Sequence, residues 1–347
     1  MSLVDDDRPV RKPFPTDKNW AENYCFTGSD PKSGIGFWLH SGRWLQDLDI
    51  WREVVILRLP DGTVAAHRAY GNALASNDGP GGPNFAIRVI EDKRRFSLKF
   101  YGAIRRVPAL AMAGGLLRDG PVQRLDLDLE FESDREVWDM PSAGHKSDFA
   151  GTGHIEQMGS VRGSISLGPD RYRYDGLCQR DHSRGPRDSS RLGRHHWIQA
   201  LFDNGIGFTI YHGVLRGQST PAFAQAAVWE GNSLYPATVE LPFMISNAID
   251  ATRPYPIALA YKNGKLDIKV TEITSTAFLS FSAPNEEYVG VFQVPSGNTP
   301  VILLEQSALY ELADGTPGFG PMERSVPGEI FHEDPATVFR PSDSRAA

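Results

Sequence analysis

Residues Leu125-Asp126-Leu127-Asp128-Leu129-Glu130-Phe131 alternate apolar and acidic side chains without a break. Successive side chains of a β-strand point to opposite faces, so this alternation is typical of a strand with one buried face and one wet face. The stretch therefore predicts a half-buried strand, and apolar runs on both sides of it continue the same pattern.

A hairpin is predicted early in the chain. Trp51–Leu59 ends in the turn signal Pro60-Asp61-Gly62, and Thr63–Ala66 resumes the apolar pattern on the other side. The remaining strands are predicted at 34–40, 85–90, 96–101, 160–166, 171–175, 196–202, 206–213, 222–230, 234–239, 265–271, 276–282, 288–294 and 300–307. Short strands separated by tight turns favour barrels or sandwiches over helical folds.

Two other segments receive predictions of a different kind. Residues 1–30 are polar and carry several prolines, so they are predicted to form an extended arm or loop. Residues 110–117 could form a short helix, although Gly114-Gly115 weakens it. The chain of 347 residues exceeds the size at which one core stops growing. We therefore expect two β-barrel-like domains, at 1–170 and 171–347.

Bulk composition excludes several classes of partner. The formal charge of -7 disfavours nucleic acid, and no apolar run reaches the roughly 18 residues that would span a membrane. The charged N-terminus, residues 1–8, is unlike a signal peptide, so a cytoplasmic protein is expected. Cys25 and Cys178 are too few for a disulfide scaffold, and Cys178 is expected to be a buried apolar side chain.

Ionisable residues are densest at the middle of the chain, in Gly176-Leu177-Cys178-Gln179-Arg180-Asp181-His182-Ser183-Arg184-Gly185-Pro186-Arg187. The glycines and the proline exclude a regular helix here. A carboxylate can raise the basicity of a neighbouring imidazole, and a guanidinium can bind an oxyanion, so Asp181, His182 and the arginines could transfer protons. A structural ion-pair network between the two domains uses the same residue types and remains the alternative.

Two further groups could join this segment. His154 and Glu156 share one face of a strand, and Glu323-Arg324 follow a glycine-rich stretch near the C-terminus. His195 and His196 are adjacent, so on a strand they point apart and cannot chelate one ion. Neither a zinc motif nor a nucleotide-binding glycine motif stands in the right context, so we expect no metal and no cofactor.

These residues resemble those of the lipocalin-like hydratase superfamily, which includes carotenoid 1,2-hydratase (hydroxyneurosporene synthase) and AttH-like proteins. The similar segments are His154-x-Glu156-Gln157, Asp175-Gly176-x-x-x-Arg180-Asp181-His182-Ser183-x-Gly185-x-Arg187, Trp197, Gly318-Phe319-Gly320-x-x-Glu323-Arg324 and Gly36-Phe37-Trp38-x-His40. Together they span most of the chain, and the central motif is the most specific of them.

The resemblance implies an all-β fold of two lipocalin-like antiparallel barrel or sandwich domains packed side by side. It also implies cofactor-free chemistry on hydrophobic terpenoid, steroid-like or aromatic molecules. Asp181, His182 and Arg187 match the motif and are carried over as site residues. One position departs from it, because Arg184 stands where an aromatic residue, typically tryptophan, is expected. A guanidinium there would suit a polar or phenolic oxygen better than a polyene.

The resulting hypothesis is a hydratase, dehydratase or isomerase that uses acid–base chemistry on a hydrophobic small molecule. The predicted catalytic residues are Asp181, His182, Arg187 and Glu156, and the predicted substrate-binding residues are His154, Arg184, Trp197, Tyr211 and Glu323. A non-catalytic carrier of a hydrophobic ligand remains the first alternative. The second is a carbon–carbon lyase that releases formaldehyde from an aromatic dimer. The chain could form a homodimer.

Overall fold

The computed structural model describes residues 6–10, 19–72, 78–113, 119–140, 152–240, 255–282, 285–291 and 300–333. These residues form strands β1 Trp20–Asp30, β2 Ile35–Trp44, β3 Asp47–Arg58, β4 Thr63–Asn72, β5 Phe85–Glu91, β6 Arg95–Pro108, β7 Val122–Glu132, β8 Trp138–Asp139, β9 Gly153–Leu167, β10 Asp170–Pro186, β11 Leu192–Phe202, β12 Ile206–Leu215, β13 Phe223–Glu230, β14 Ser233–Val239, β15 Pro256–Tyr261, β16 Gly264–Ser282, β17 Glu286–Val289, β18 Val301–Leu312 and β19 Pro317–Pro327. Helices α1 Ala109–Ala113 and α2 Gly328–Glu333 and a 3-10 turn at Ser189–Arg191 complete the regular structure of these ranges.

The first sheet closes into an antiparallel barrel. Its strand order is β10-β1-β2-β3-β4-β6-β7-β9, and pairing between β9 and β10 joins the two ends. Strand β5 pairs with β6, and β8 pairs with β9. Closure leaves few unpaired strand edges, which disfavours edge-to-edge association.

The second sheet closes in the same way. Its order is β19-β11-β12-β13-β14-β15-β16-β18, with β18 paired to β19 and β17 added beside β16. The two barrels are thus eight-stranded within the described residues, and corresponding strands follow each other in the same order. Their first hairpins even share a sequence, Gly34-Ile35-Gly36-Phe37 and Gly205-Ile206-Gly207-Phe208. The positive φ of Gly34 (71°) and Gly205 (84°) makes both turns.

Three apolar clusters follow from the alternation of side chains along the strands. One fills the first barrel and includes Phe26, Phe37 and Cys178, and another fills the second barrel. The third contains Trp38, Trp197 and residues of both sheets, and it lies between the barrels. Each strand at this junction therefore has two buried faces, one inside its barrel and one towards the other barrel.

The prediction of an all-β fold with two lipocalin-like antiparallel barrels is confirmed. Helix α1 matches the first half of the predicted short helix, and 114–118 lie outside the described residues. Three local predictions were wrong: residues 20–30 form β1 instead of an arm, 176–186 continue β10, and 265–271 and 276–282 are one strand. Strands β8, β15 and β19 were not foreseen. Gly185, at a φ of 120°, lets β10 run past Thr152 without ending.

We propose that the division into domains falls between Pro186 and Leu192 instead of at 170/171. Strand β10 closes the first barrel against β1 and β9, whereas β11 opens the second barrel. No helix among the described residues has the length and apolar character needed to cross a membrane.

Candidate functional site

A buried cavity of about 50 Å³ lies between the two barrels. Its walls are formed by Cys25, Trp38, His40, His154, Glu156, Asp181, Arg187, His195, Trp197, Tyr211, Phe281, Glu287, Leu303 and Glu323. One buried water molecule needs on the order of 10–15 Å³ of such volume, so the space holds roughly three to five. Seven of the nine residues predicted from the sequence meet here; His182 and Arg184 do not.

One wall of the cavity presents an imidazole between two carboxyl groups. His154 and Glu156 alternate on β9 and face the cavity, and Asp181 on β10 lies directly opposite Glu156 in the register. His154 Nε2 is 3.3 Å from Asp181 Oδ2 and 3.7 Å from Glu156 Oε1. The ring of Tyr211 meets that of His154 edge-on, with centroids 5.7 Å apart. This set can hold and move a proton.

Glu156 is the most deeply buried carboxyl group of this wall. Its Oε2 accepts hydrogen bonds from Gln179 Nε2 at 2.9 Å and from Thr209 Oγ1 at 3.0 Å. Burial raises the pKa of Glu156, although His154 and the Trp197 indole favour the charged form. A carboxyl group in these surroundings retains its proton to higher pH than an exposed one and can serve as an acid.

The wall contributed by the second barrel carries a second imidazole–carboxylate pair. His195 Nε2 forms a short contact with Glu323 Oε1, joining β11 to β19. Burial alone would raise the pKa of Glu323, but the hydrogen bond and charge of His195, the hydrogen bond with Glu305 and the charge of Arg187 together lower it. Glu323 therefore favours its charged form, the reverse of Glu156.

A third pair closes the cavity near β2. His40 Nδ1 lies 3.5 Å from Glu287 Oε2, and Arg52 makes a close ion pair with the same carboxyl group. Burial holds the pKa of His40 well below its usual value, so its imidazole is neutral, and burial also raises the pKa of Glu287. The indole of Trp38 stacks on His40 with centroids 5.1 Å apart.

Arg187 brings a positive charge into this space. Among the described residues that line the cavity it is the only arginine or lysine. It follows β10, and its guanidinium carbon lies 5.9 Å from the ring centre of Phe281. Its charge acts against burial to lower the pKa values of Glu287, Glu323 and Tyr211, although burial leaves those of Glu287 and Tyr211 raised overall. A substrate oxygen that becomes negative would find its counter-charge here.

His182 and Arg184 lie on the opposite face of β10, inside the first barrel. The predictions of a catalytic His182 and a substrate-binding Arg184 treated the central segment as a loop, in which Asp181 and His182 could act side by side. On a strand, neighbouring side chains point apart. His182 stacks on Tyr24 at 3.9 Å, and Arg184 Nε donates to Glu22 at 2.8 Å. Neither His182 nor Arg184 therefore belongs to the candidate site.

The residues around His182 form a compact ion-pair cluster. Asp7, from the N-terminal arm, accepts from Arg180 at 2.9 and 3.0 Å and lies 3.1 Å from His182. Burial would raise the pKa of Asp7, but Arg180 and His182 hold it well below the ordinary value. Glu22 contacts His182, Arg184 and Arg43, and its pKa falls to about 2. The ionisable groups of this cluster pair with each other, which favours a structural role for it.

Several lining residues were not predicted as site residues, among them His40, His195 and Glu287. The signal for His40 was present, because Trp38 and His40 alternate with Phe37 and Leu39 along β2. The pairing of His195 with Glu323 joins residues 128 apart in the chain and requires the register of the second barrel. No group of three or more histidine, cysteine or carboxylate side chains is placed to hold a metal ion in the part of the chain that the structure describes.

Comparisons with known proteins agree with the architecture. A model of the family described as Domain of unknown function (DUF7064) matches residues 5–325. A search of the curated protein sequences found no match.

Among solved structures, an AttH-like protein (NE1406) of Nitrosomonas europaea is similar over 92% of this chain and 98% of its own, at 14% identity and a TM-score of 0.50. CghA, solved with Sch210972, is similar over 94% and 96%, at 9% identity and a TM-score of 0.53. Kievitone hydratase from Nectria haematococca covers 94% and 95%, at 9% identity and a TM-score of 0.45. The resemblance to the lipocalin-like hydratase superfamily is confirmed, as a likeness of fold.

Proposed function

The chain belongs to the DUF7064 family, and from its cavity we propose that the protein is a cofactor-independent lyase of the hydratase or dehydratase type. The description of the family names no reaction. The substrate would be an apolar terpenoid, steroid-like or aromatic molecule that carries an oxygen function. The observation that carries the proposal is His154 held between Asp181 and Glu156 in a buried, aromatic-walled cavity that also contains Arg187.

Each group has a distinct role in this proposal. Asp181 orients the imidazole of His154, and His154 takes a proton from carbon. Glu156, whose pKa is raised by burial, gives a proton to the departing hydroxyl group. Arg187 stabilises the negative charge that develops on a substrate carbonyl or phenol oxygen. Hydration is the same sequence in reverse, and proton return to another carbon would give an isomerisation.

The size of the cavity favours an enzyme over a carrier. Sites that enclose a drug-sized ligand measure about 300–1,000 Å³, whereas this cavity measures about 50 Å³. Only the reacting group of a terpenoid or a phenolic molecule fits into that volume. The polar lining also disfavours storage of a pure hydrocarbon, since a hydrocarbon offers no hydrogen bond in exchange for the lost hydration of the imidazole and carboxyl groups.

The test is a screen for addition or loss of water. Apolar enones, phenolic alkenes and their tertiary alcohols are incubated with the protein in ¹⁸O-labelled water, and mass spectrometry follows incorporation or release of the label. Turnover in the wild type and a loss of about 10²–10⁴-fold in Asp181→Asn are expected. The matched control is Asp175→Asn, an exposed aspartate on the same strand β10, which should keep full turnover.

Other outcomes identify the alternatives. A ligand that remains bound and unchanged would favour a carrier, and formaldehyde released from an aromatic dimer would favour a carbon–carbon lyase. If Asp181→Asn turns over as fast as the wild type, or if it has lost its near-ultraviolet circular dichroism, the assignment of Asp181 to catalysis is wrong.

A further inference from the structure

Two carboxyl groups of the second barrel face each other behind the cavity. Glu305 on β18 and Glu323 on β19 are direct partners in the strand register, so their side chains stand on the same face. Glu305 is 0% exposed and Glu323 is 9% exposed. Two like charges this close in a buried site cannot both be present, so one carboxyl group keeps its proton.

The surroundings decide which group keeps it. Burial and the charge of Glu323 raise the pKa of Glu305 well above its usual value, and Arg58 only partly opposes this. Glu323, in contrast, receives the hydrogen bond from His195 and has a lowered pKa. The charged or titratable groups that interact with the pair from the neighbouring elements are Arg58 of β3, Cys25 of β1, His40 of β2, His195 of β11, Tyr211 of β12, Arg187 after β10 and Glu287 of β17.

The three residues lead from the protein interior to the cavity. Glu305 does not line the cavity, whereas Glu323 and His195 do. His195 Nε2 contacts Glu323 Oε1, and the backbone N–H of His195 donates to Ser325 Oγ at 2.7 Å, which fixes the position of the residue. A proton on the glutamate pair therefore has a short route to the wall contributed by the second barrel.

We propose that Glu305, Glu323 and His195 form a second proton-transfer centre, which stores one proton in the resting protein and delivers it to the cavity from the wall that faces His154. This inference rests on the proposed lyase function and adds to it the group that returns a proton to Glu156 after the hydroxyl group has left. His195 touches the substrate, and Glu305 acts through Glu323 as a positioning and storage residue.

The two centres give a balanced reaction. In dehydration, the electron pair of a C–H bond next to a carbonyl forms the new C=C bond while the proton moves to His154. The neighbouring C–O bond breaks, and its oxygen takes the proton of Glu156 and leaves as water. The second centre then delivers a proton through His195 across the cavity, which restores the acid form of Glu156. His154 has then gained one proton and the glutamate pair has lost one, and exchange with solvent restores both. No electrons enter or leave the system.

The stored proton is tested without substrate by infrared spectroscopy of the full-length protein. A protonated carboxylic acid has a carbonyl stretch separate from carboxylate and amide bands, and the stretch shifts in heavy water. We expect such a band at neutral pH, and we expect Glu305→Gln to remove one part of it. In Glu323→Gln the amide can donate a hydrogen bond to Glu305, so the band of Glu305 should titrate at lower pH than in the wild type.

The matched control is Glu311→Gln, which changes an exposed glutamate on the same strand β18 and should leave the spectrum unchanged. Glu156→Gln and Glu287→Gln separate the contributions of the other two buried acids whose pKa is raised. If Glu305→Gln is folded by circular dichroism and its spectrum equals that of the wild type, Glu305 is ionised and the stored proton does not exist.

Activity measurements then connect the store to the reaction. His195→Gln should lower kcat by about 10²–10⁴-fold with KM nearly unchanged, and Glu305→Gln should move the basic limb of the pH profile, which reports loss of the stored proton. An unmoved profile would limit Glu305 to a structural role. The two proposals fail separately: a carboxylic acid band without any turnover contradicts the lyase, and turnover without the band contradicts the store.

Discussion

Strand β10 contributes to two clusters of acids, imidazoles and guanidinium groups. The clusters differ in whether their buried polar atoms have hydrogen-bond partners. Inside the first barrel both oxygens of Asp7 accept from Arg180, and His182 bridges Asp7 and Glu22. Facing the second barrel, the Oδ1 atom of Asp181 and both ring nitrogens of His154 make no aligned hydrogen bond within the described residues, although they are buried.

We infer from this difference that the first cluster is structural and the second is chemical. Buried polar groups normally find partners, because leaving one unsatisfied costs about 1–3 kcal/mol. The cluster inside the barrel obeys this rule and gains stability from it. The cluster in the cavity breaks the rule with several side chains at once, and unsatisfied groups that converge on one space are available to a substrate.

The largest expected effect comes from breaking the satisfied cluster. Arg180→Gln removes the guanidinium that pairs with the buried carboxylate of Asp7. The free energy of unfolding in urea should therefore fall by about 3–5 kcal/mol. Asp181→Asn, the neighbouring change on the other face, should alter it by less than about 1 kcal/mol.

The exposed Arg173 on the same strand supplies the control Arg173→Gln, which should match the wild type. If Arg180→Gln does not fold, Asp7→Asn gives the milder test, with a loss of roughly 2 kcal/mol. A stability of Asp181→Asn lower than that of Asp7→Asn would reverse the assignment of the two faces.

The two clusters should also respond to pH with opposite signs. The pKa of Glu22 lies at about 2 in the folded protein, below its ordinary value of 4.5, so its stabilising contribution is complete above pH 4.5 and is lost as the pH falls towards 2. The loss amounts to about 3 kcal/mol. Burial raises the pKa of Glu156 and Glu287, so their contribution is instead complete below about pH 4.5 and is lost as the pH rises.

Urea unfolding between pH 2 and 6 measures this dependence as a slope. In Glu22→Gln the slope of the free energy of unfolding against pH should decrease by up to one proton, whatever the absolute stability of the variant. An unchanged slope would mean that Glu22 titrates normally in the folded protein. The cluster would then not be a closed ion-pair network.

The same comparison shows what the sequence could and could not predict. Period-two alternation identified most strands, because it reflects the geometry of a single strand. Gly176, Gly185 and Pro186 concealed the continuation of β10, and without that strand Asp181 and His182 were placed in one site. Once the segment is known to be a strand, alternation alone separates them.

The wall that the second barrel contributes to the cavity could not be predicted from local sequence patterns. Glu305 faces Glu323 because β18 and β19 pair in one register, and His195 reaches Glu323 across 128 residues of chain. A shift of one residue in that register would turn each of these side chains into the barrel. Glu323 could be named as a candidate from its motif, but its partners follow from barrel closure.

The smallest expected effect is a gain of stability at the chemical cluster. Glu156→Gln keeps the shape of the side chain and removes a carboxyl group whose ionisation burial opposes. At pH 8 the variant should be more stable to urea than the wild type by roughly 1 kcal/mol, and the difference should vanish near pH 4, where both side chains are neutral. The exposed Glu311→Gln should show no such pH dependence.

Turnover of the stabilised variant should fall, because the proton donated by Glu156 is gone. A variant that is less stable than the wild type at both pH values would mean that the Gln179 and Thr209 hydrogen bonds require a charged acceptor, and Glu156 would then belong with the satisfied, structural residues.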